Sequence, residues 1–168
     1  MIRDLKLNDG RSILEASESS NLLFVFVRHR GCTFCREALS SLSIHKEKLR
    51  SLGYEVFVVH MGDKKSSHLM QEDFGLKDLE FISDPKRSYY KAFGARRASL
   101  TEALGPKVIF KGLFGGKLKK YGVGKLEGDG FQLGGVFTLV KSKLKFVHDP
   151  CDASDVEDWP ALIKAQAL

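Results

Sequence analysis

The chain has 168 residues, of which 43% are hydrophobic and 29% are charged. This length favours a single domain, residues 1–168, with one sizeable core, and the composition is ordinary for a soluble globular protein. No apolar run approaches the roughly 20 residues that cross a bilayer, and the N-terminus lacks the apolar core of a secretory signal. We therefore expect a cytoplasmic protein without a membrane span.

The net charge is +6, and the basic residues are densest between Lys107 and Lys125. A basic balance can indicate nucleic acid, a membrane surface or an anionic substrate as partner. No helix-turn-helix, zinc-finger or RNA-recognition signature accompanies these residues, so we expect no nucleic-acid partner. We interpret the segment as a solvated face, with attraction of an anionic ligand as the alternative.

In chain order, apolar runs and helical periodicity predict alternating strands and helices. The predicted strands are 22–27, 55–60, 80–83, 136–140 and 144–148. The predicted helices are a short one near 12–15, then 33–52, 66–74, 86–93, an ambiguous region at 98–114 with a helix after Pro106, and a last helix after Ser154 or Asp155. Residues 115–130 are predicted to be a loop.

This order predicts an α/β fold with a central mixed sheet flanked by helices. The strands that alternate with helices should be parallel, and the run 22–27 has no alternation, which is typical of a strand buried on both faces. The last two strands are separated by a tight link and read as a hairpin, which adds an antiparallel edge.

Cys32 and Cys35 lie between the first buried strand and the first long helix. A helix N-terminus presents free N–H groups and the positive end of the dipole, which stabilise a thiolate and lower a thiol pKa. The two-residue spacing lets one sulfur resolve a mixed disulfide or sulfenic acid on the other. The nearby cationic side chains of Arg28, Arg30 and Arg36 favour the same ionisation. The placement therefore predicts a redox dithiol.

Two other interpretations of the cysteine pair remain open. The pair could be two buried structural thiols, although a strand-to-helix turn beside Gly and Arg is an unusual place for them. It could also contribute to a zinc site with His148 and Cys151. The His148–Cys151 spacing is tighter than in the usual structural zinc patterns, so we expect no metal and no cofactor.

Three segments carry a resemblance to a known family. They are residues 26–36 (FVRHRGCTFCR), residues 83–85 followed by 90–94 (SDP and YKAFG), and residues 128–137 (GDGFQLGGVF). In this order they are similar to segments of the peroxiredoxin-like AhpC/TSA family, in the branch that also includes prostamide/prostaglandin F synthase-like proteins. The resemblance spans about residues 20–165.

The resemblance implies a thioredoxin-like fold and thiol-dependent antioxidant activity, with Cys32 and Cys35 as the catalytic pair. It also implies a peroxide or disulfide substrate and an external thiol reductant such as a thioredoxin or glutathione system. In the peroxiredoxin pattern Pro-x-x-x-Thr-x-x-Cys, Cys35 takes the last place, Cys32 the Thr place and Arg28 the Pro place.

Four residues are candidates for substrate binding. Arg28 and Arg36 could steer a peroxide or an anionic substrate. Gly134 and Gly135 occupy the place where thioredoxins have a cis-proline that contacts peptide substrates, and glycine permits close backbone approach there.

The mechanism leaves alternatives open. Cys32, expected to be nearer to solvent at the turn, is the attacking thiol in a thioredoxin-type mechanism and is slightly favoured, whereas Cys35 attacks in a peroxiredoxin-type mechanism. Cys151 is either a distant resolving thiol or a small residue near the end of the chain. A reductase of lipid endoperoxides would need an apolar pocket beside the cysteines, under residues 98–126. A redox sensor without turnover is the non-enzymatic alternative.

Overall fold

The computed structural model describes residues 2–124 and 127–164, so residues 125 and 126 of the predicted loop and residues 165–168 lie outside the described part. Five strands form one sheet in the order β3-β2-β1-β4-β5. They are β1 (Asn21–Phe26), β2 (Tyr54–His60), β3 (Glu80–Ser83), β4 (Gly135–Val140) and β5 (Lys143–His148). β1 pairs with β2 and β2 with β3 in parallel, whereas β4 pairs antiparallel with both β1 and β5. The predicted mixed sheet with an antiparallel hairpin at its edge is confirmed.

The helices are α1 (Ile13–Ser19), α2 (Thr33–Ser51), α3 (Lys64–Phe74), α4 (Ser88–Phe93), α5 (Leu100–Leu104), α6 (Pro106–Leu113), α7 (Lys117–Tyr121) and α8 (Trp159–Lys164). The ambiguous region at 98–114 divides into two helices. Ser99 and Glu102 form a reciprocal capping box at the start of α5, and Pro106 begins α6 at a position where its missing N–H is tolerated.

The prediction of a loop throughout 115–130 was wrong at α7. Glycines border this helix on both sides, which suggested a loop, but the residues between them are mostly good helix formers. Its Leu118 packs beside Gly112 of α6, at 3.3 Å from the position that a Gly112 Cβ would take. Tertiary contact therefore stabilises a helix that is too short to form alone.

The core has two layers, one on each face of the sheet. Alternate residues of β1 supply both layers, since Leu23 and Val25 point to one face and Phe24 and Phe26 to the other. The first face is covered by α2, α3 and α8, where Trp159 is fully buried. The second is covered by α1 and α4. The continuous apolar run of β1 therefore belongs to a strand buried on both faces, as predicted.

The backbone just before β4 lies very close to the end of β1. A Cβ on Gly134 would lie 2.2 Å from the carbonyl oxygen of Phe26, well inside van der Waals contact. Gly135 then pairs with Phe26 as the first residue of the β1–β4 ladder. Glycine at 134 is thus a steric requirement for joining β4 to β1 beside the predicted site.

Gly134→Ala should therefore lower the free energy of unfolding by about 1–3 kcal/mol or more, because β4 must move away from Phe26. Gly112→Ala is the matched control, since its added methyl meets side-chain atoms and no backbone, with Leu118 at 3.3 Å and Phe34 at 3.9 Å. That substitution should change stability by less than about 1 kcal/mol. Denaturant unfolding of both variants measures the difference, and equal effects would contradict the steric explanation.

Candidate functional site

The two cysteines lie where β1 leads into α2, as predicted. Cys32 is the N-cap of α2, and its Sγ accepts a hydrogen bond from the backbone N–H of Cys35 at 3.2 Å. Cys35 follows in the first turn of the helix. Both are free thiols and are almost equally buried, with 6% and 7% of their surface exposed. The expectation that Cys32 is clearly nearer to solvent is therefore not met.

Arg28 contacts both sulfur atoms. Its Nη2 donates a hydrogen bond to Cys32 Sγ at 3.0 Å, and its backbone N–H donates to Cys35 Sγ at 3.2 Å. Burial opposes the charge of the guanidinium, but the neighbouring sulfurs more than compensate and raise the pKa of Arg28. Arg28 therefore supplies a permanent positive charge and two donors to the pair.

A neighbouring loop holds the Arg28 side chain in place. Its Nη1 donates to the carbonyl oxygen of Gly130 at 3.0 Å. The carboxylate of the adjacent Asp129 forms ion pairs with Arg87 and Arg97. The distance from Asp129 Oδ2 to Arg97 Nε is 2.9 Å. These contacts fix the loop, so the orientation of the guanidinium depends on residues distant in sequence.

Gln132 attaches the same loop to the core. Its Nε2 donates to the carbonyl oxygens of Ala95 and Arg96 at 3.2 and 3.0 Å, and Gln132 itself is 3% exposed. The segment 128–137, which carried part of the resemblance, therefore contains three residues that position the loop or the strand after it: Asp129, Gln132 and Gly134. Sequence reasoning did not assign Asp129 or Gly130 to the site, and their spacing from Gln132 was the available signal.

The surroundings of the two sulfurs favour ionisation of one of them. Burial raises the pKa of Cys32 well above its ordinary value, and the hydrogen bond and charge of Cys35 act in the same direction. Burial also opposes ionisation of Cys35, but the hydrogen bond from Cys32 and the Arg28 charge outweigh it and hold the pKa of Cys35 well below its ordinary value. The site therefore favours one thiolate, at Cys35, beside one neutral thiol, at Cys32.

A narrow cavity of about 40 Å³ lies beside Cys35. Its lining includes Gly134, Gly135, His148 and Glu157. The Glu157 Oε1 atom is buried without a hydrogen-bond partner among the described residues. Burial, with a further contribution from the Cys35 charge, raises the pKa of Glu157 to about 7. Glu157 also lines a surface cleft of about 350 Å³ on its other side.

Sequence reasoning missed Glu157. It lies in an irregular acidic stretch just before α8, where nothing in the local pattern distinguishes it from the exposed Asp158. Only the packing of this stretch against α2 brings its carboxyl group to the cavity.

Cys32 opens on the opposite side, into a larger apolar cleft of about 410 Å³. The apolar side chains that line it are Phe34, Ala103, Leu104, Val108, Val123 and Phe131. Several of these lie within residues 98–126, where a pocket was expected if the substrate were a lipid endoperoxide. The two sulfurs thus face openings that differ about tenfold in volume.

The other candidate residues are placed less centrally. Gly134 and Gly135 line the narrow cavity, where the close approach of Gly134 is to Phe26. The Arg36 guanidinium lies beside Gly122, with its Nη1 3.4 Å from the point where a Cβ on that residue would be. In the described residues, no contact between Arg36 and either sulfur is found. Arg30 forms an ion pair with Asp73 instead, at 2.8 Å.

Cys151 lies on the surface in a different electrostatic setting. A hydrogen bond to Asp155 is the main cause that raises the pKa of this thiol, and Lys107 Nζ is 3.9 Å from its sulfur. His148, the other residue of the zinc alternative, faces Asp155 at 3.9 Å. Within residues 2–124 and 127–164, no three or more His, Cys, Asp or Glu side chains are grouped so that they could hold a metal ion.

The profile of the AhpC/TSA antioxidant enzyme family matches residues 41–150. The chain belongs to the AhpC/TSA family. The human protein Peroxiredoxin-like 2A is 30% identical over 172 residues, covering 92% of this chain and 69% of the relative. The chicken protein (Gallus gallus) is 28% identical over 155 residues, covering 90% of this chain and 66% of the relative.

The AhpC/TSA chain spans about two thirds of the length of both relatives.

Solved structures show that the AhpC/TSA chain has the thioredoxin-like fold of peroxiredoxins. Reduced Prx3 from Vibrio vulnificus superposes with a TM-score of 0.62 at 13% identity, covering 96% of this chain and 90% of that one. The bacterioferritin comigratory protein of Xanthomonas campestris gives 0.61 at 16% identity, covering 99% and 94%. The expected fold class and family are both confirmed. No helix in the described residues is long and apolar enough to span a membrane.

Replacing Arg28 by Met should raise the pH at which the first thiol ionises by about 1–2 units, because the thiolate loses its positive neighbour. The pH dependence of iodoacetamide alkylation, followed by mass spectrometry at each cysteine, measures this shift. Arg30→Met is the matched control, since its guanidinium pairs with Asp73 rather than with sulfur. An unchanged titration in Arg28→Met would contradict the role assigned to Arg28.

Glu157 should make stability depend on pH. Its pKa of about 7 in the folded chain lies above its ordinary value of 4.5. A raised folded pKa gives stability that is present below about pH 4.5 and is lost as the pH rises through about 7. Between pH 5 and 8 the wild type should therefore lose up to about 3 kcal/mol relative to Glu157→Gln.

Denaturant unfolding of both proteins across this pH range tests the difference. Glu47→Gln, which alters only a surface ion pair with Arg50, should follow the wild type at every pH. A constant difference between wild type and Glu157→Gln would show that the carboxyl group is ionised throughout.

Proposed function

We propose that the protein is a thiol-dependent peroxide reductase that works through a Cys32–Cys35 dithiol/disulfide cycle. The observation that carries the proposal is the double donation of Arg28 to both sulfurs at the N-terminus of α2. Membership of the AhpC/TSA family supports a thiol redox role. The free thiols also suit the reducing cytoplasm, which we propose as the compartment.

In the first step, the Cys35 thiolate attacks one oxygen of the peroxide. An S–O bond forms, the O–O bond breaks, and two electrons pass from sulfur to the peroxide, which leaves Cys35 as a sulfenic acid. The departing hydroxide or alkoxide takes up a proton and leaves as water or alcohol. We assign the proton to Glu157, whose carboxyl group lines the same cavity and which has a pKa near 7.

In the second step, Cys32 resolves the sulfenic acid. Its sulfur attacks the Cys35 sulfur, so that the S–S bond forms while the S–O bond breaks, and the thiol proton leaves with the hydroxyl group as water. The two thiols lie in the same turn at the start of α2, with the Cys35 backbone nitrogen 3.2 Å from the Cys32 sulfur. An external thiol reductant of the thioredoxin or glutathione type then restores both thiols.

Charge and space together favour Cys35 over Cys32 as the attacking residue toward a small peroxide. The site favours a thiolate at Cys35. A cavity of about 40 Å³ is large enough for a few water-sized atoms, given that one water needs roughly 10–15 Å³. Hydrogen peroxide fits this space, whereas a lipid chain does not. These observations support Cys35 rather than Cys32, which the sequence slightly favoured.

A second candidate substrate class is a bulky apolar peroxide, including a lipid endoperoxide. The apolar cleft at Cys32 supports it, because about 410 Å³ can bury a large part of an apolar substrate. In this reaction Cys32 is the attacking sulfur after its proton has passed to Cys35, and Cys35 resolves the product. Among the structural neighbours, the X. campestris protein is described as reducing alkyl peroxides.

Single Cys→Ser variants separate these reactions. With hydrogen peroxide and dithiothreitol as reductant, Cys35→Ser should lose turnover at least about 100-fold, because no thiolate remains in the narrow cavity. Cys32→Ser should still form one sulfenic acid at Cys35, trapped with dimedone and located by mass spectrometry. With a fatty-acid hydroperoxide, the second candidate predicts the opposite assignment.

Cys151→Ser is the matched control and should keep wild-type rates with both substrates. If Cys35→Ser reacts with hydrogen peroxide as fast as the wild type, the assignment of the attacking residue is wrong. If the Cys32–Cys35 disulfide forms but neither peroxide is turned over, the protein is a redox sensor and the enzymatic proposal fails.

A further inference from the structure

Exposed apolar side chains are concentrated on one part of the surface. Of the eleven large apolar side chains that are exposed in the described chain, seven lie within residues 100–131. Two of them are the aromatic residues Phe110 and Phe114, with 62% and 76% of their surface exposed. Leu100, Leu104, Ile109 and Val123 are each more than half exposed. A concentration of this kind marks an interaction surface more often than a solvated one.

The packing of α6 explains why these side chains point outward. Its inner side carries Val108, which is 8% exposed, and Gly112, which lies against Leu118 and Phe34. Phe110 and Phe114 lie one turn apart on the opposite side, and their rings stack with centroids 5.0 Å apart. The helix thus buries its smaller residues and presents its two aromatic rings.

The same segment carries a strong positive charge. Residues 103–126 contain six lysines and no Asp or Glu, although the net charge of the whole chain is only +6. Lys107 and Lys117 form ion pairs with Asp152 and Glu37.

No ion pair is found among the described residues for the three lysines that remain in α6 and α7, Lys111, Lys119 and Lys120. Lys119 and Lys120 are exposed, and Lys120 Nζ lies 5.0 Å from the centre of the Tyr121 ring. Lys111 is half-buried at the edge of the cleft that Glu157 also lines. The charges of Lys119 and Lys120 are therefore accessible to an external anion. We call the surface formed by these three lysines and the exposed Leu100, Leu104, Ile109, Phe110, Phe114 and Val123 the apolar–basic face.

We propose that the apolar–basic face docks on the surface of an anionic phospholipid bilayer. Aromatic and aliphatic side chains enter the boundary between headgroups and acyl chains, and the lysines of the face pair with lipid phosphates and carboxylates around them. A protein partner is the less suitable occupant, because lysine is depleted at the centre of protein interfaces. The cytoplasmic leaflet, which is rich in anionic lipids, has the complementary charge.

Docking in this orientation would also bring the apolar cleft to the bilayer. Leu104 and Val123 belong to the apolar–basic face and also line the cleft that ends at Cys32. A lipid hydroperoxide could then move from the membrane into the cleft without crossing water. This consequence rests on the second reaction proposed above, whereas the docking itself does not require any turnover.

Co-sedimentation of the reduced protein with vesicles tests the docking directly. The wild type should bind vesicles that contain phosphatidylserine as well as phosphatidylcholine. Its affinity for vesicles of phosphatidylcholine alone should be at least about tenfold lower. Its affinity for the phosphatidylserine vesicles should fall as the salt concentration rises. Phe110→Ser with Phe114→Ser should weaken binding about tenfold or more. Lys111→Glu with Lys119→Glu should weaken it by a similar factor, at about fivefold for each lysine lost.

Matched variants on α2 provide the control. Ile44→Ser removes an equally exposed apolar side chain, and Lys48→Glu reverses a surface charge, both away from the apolar–basic face. Neither should reduce binding. Wild-type protein that binds neither kind of vesicle overturns the proposal. The proposal also fails if the wild type self-associates without binding vesicles and the double phenylalanine variant no longer self-associates. That result would make the apolar–basic face a protein interface.

Turnover of hydrogen peroxide, measured on the same variants, keeps the two proposals distinct. Loss of vesicle binding with unchanged turnover is the result expected for docking residues that lie outside the reacting groups. Vesicle binding by a wild type that turns over no peroxide would support the docking and refute the reductase function alone. Thermal unfolding of each variant checks that the exposed substitutions leave the fold intact.

Discussion

The contact of Arg28 with both sulfurs is the interaction on which the site depends. A thiolate buried to this degree is costly unless a positive charge and hydrogen-bond donors replace the water that it has lost. The Arg28 guanidinium lies 3.0 Å from one sulfur, and its backbone N–H lies 3.2 Å from the other. The N-terminus of α2 adds to the same potential. One residue thereby allows the pair to hold a single negative charge away from bulk solvent.

Much of the surrounding fold serves to place that residue. Arg28 follows β1, whose position is set by parallel pairing with β2 and antiparallel pairing with β4. The β4 pairing requires glycine at 134, and the loop before it holds the guanidinium through the Gly130 carbonyl group. Asp129 and Gln132 fix that loop. The residues of the segment 128–137 therefore act on the sulfurs indirectly, through the orientation of Arg28.

The sequence predicted the parts of the site that are local in the chain. The apolar run of β1, the two cysteines after Gly31 and the long amphipathic α2 are consecutive in the chain. The position of Cys32 and Cys35 followed from this order. Glu157 could not be predicted, because the position of its carboxyl group beside the cavity depends on how the segment before α8 packs on α2. The helix α7 was missed for a similar reason, since the contact of Leu118 with Gly112 outweighs the local glycine pattern.

The two openings beside the sulfur pair explain how one dithiol could serve substrates of different size. Cys35 faces the narrow cavity of about 40 Å³, and Cys32 faces the apolar cleft of about 410 Å³. In the proposed reaction the pair carries one proton and one negative charge, so transfer of that proton between the sulfurs would change which opening contains the nucleophile. Cavity size would then select the peroxide, while Arg28, in contact with both sulfurs, would stabilise the thiolate in either position. Under this proposal the attacking residue is a property of the substrate as much as of the protein.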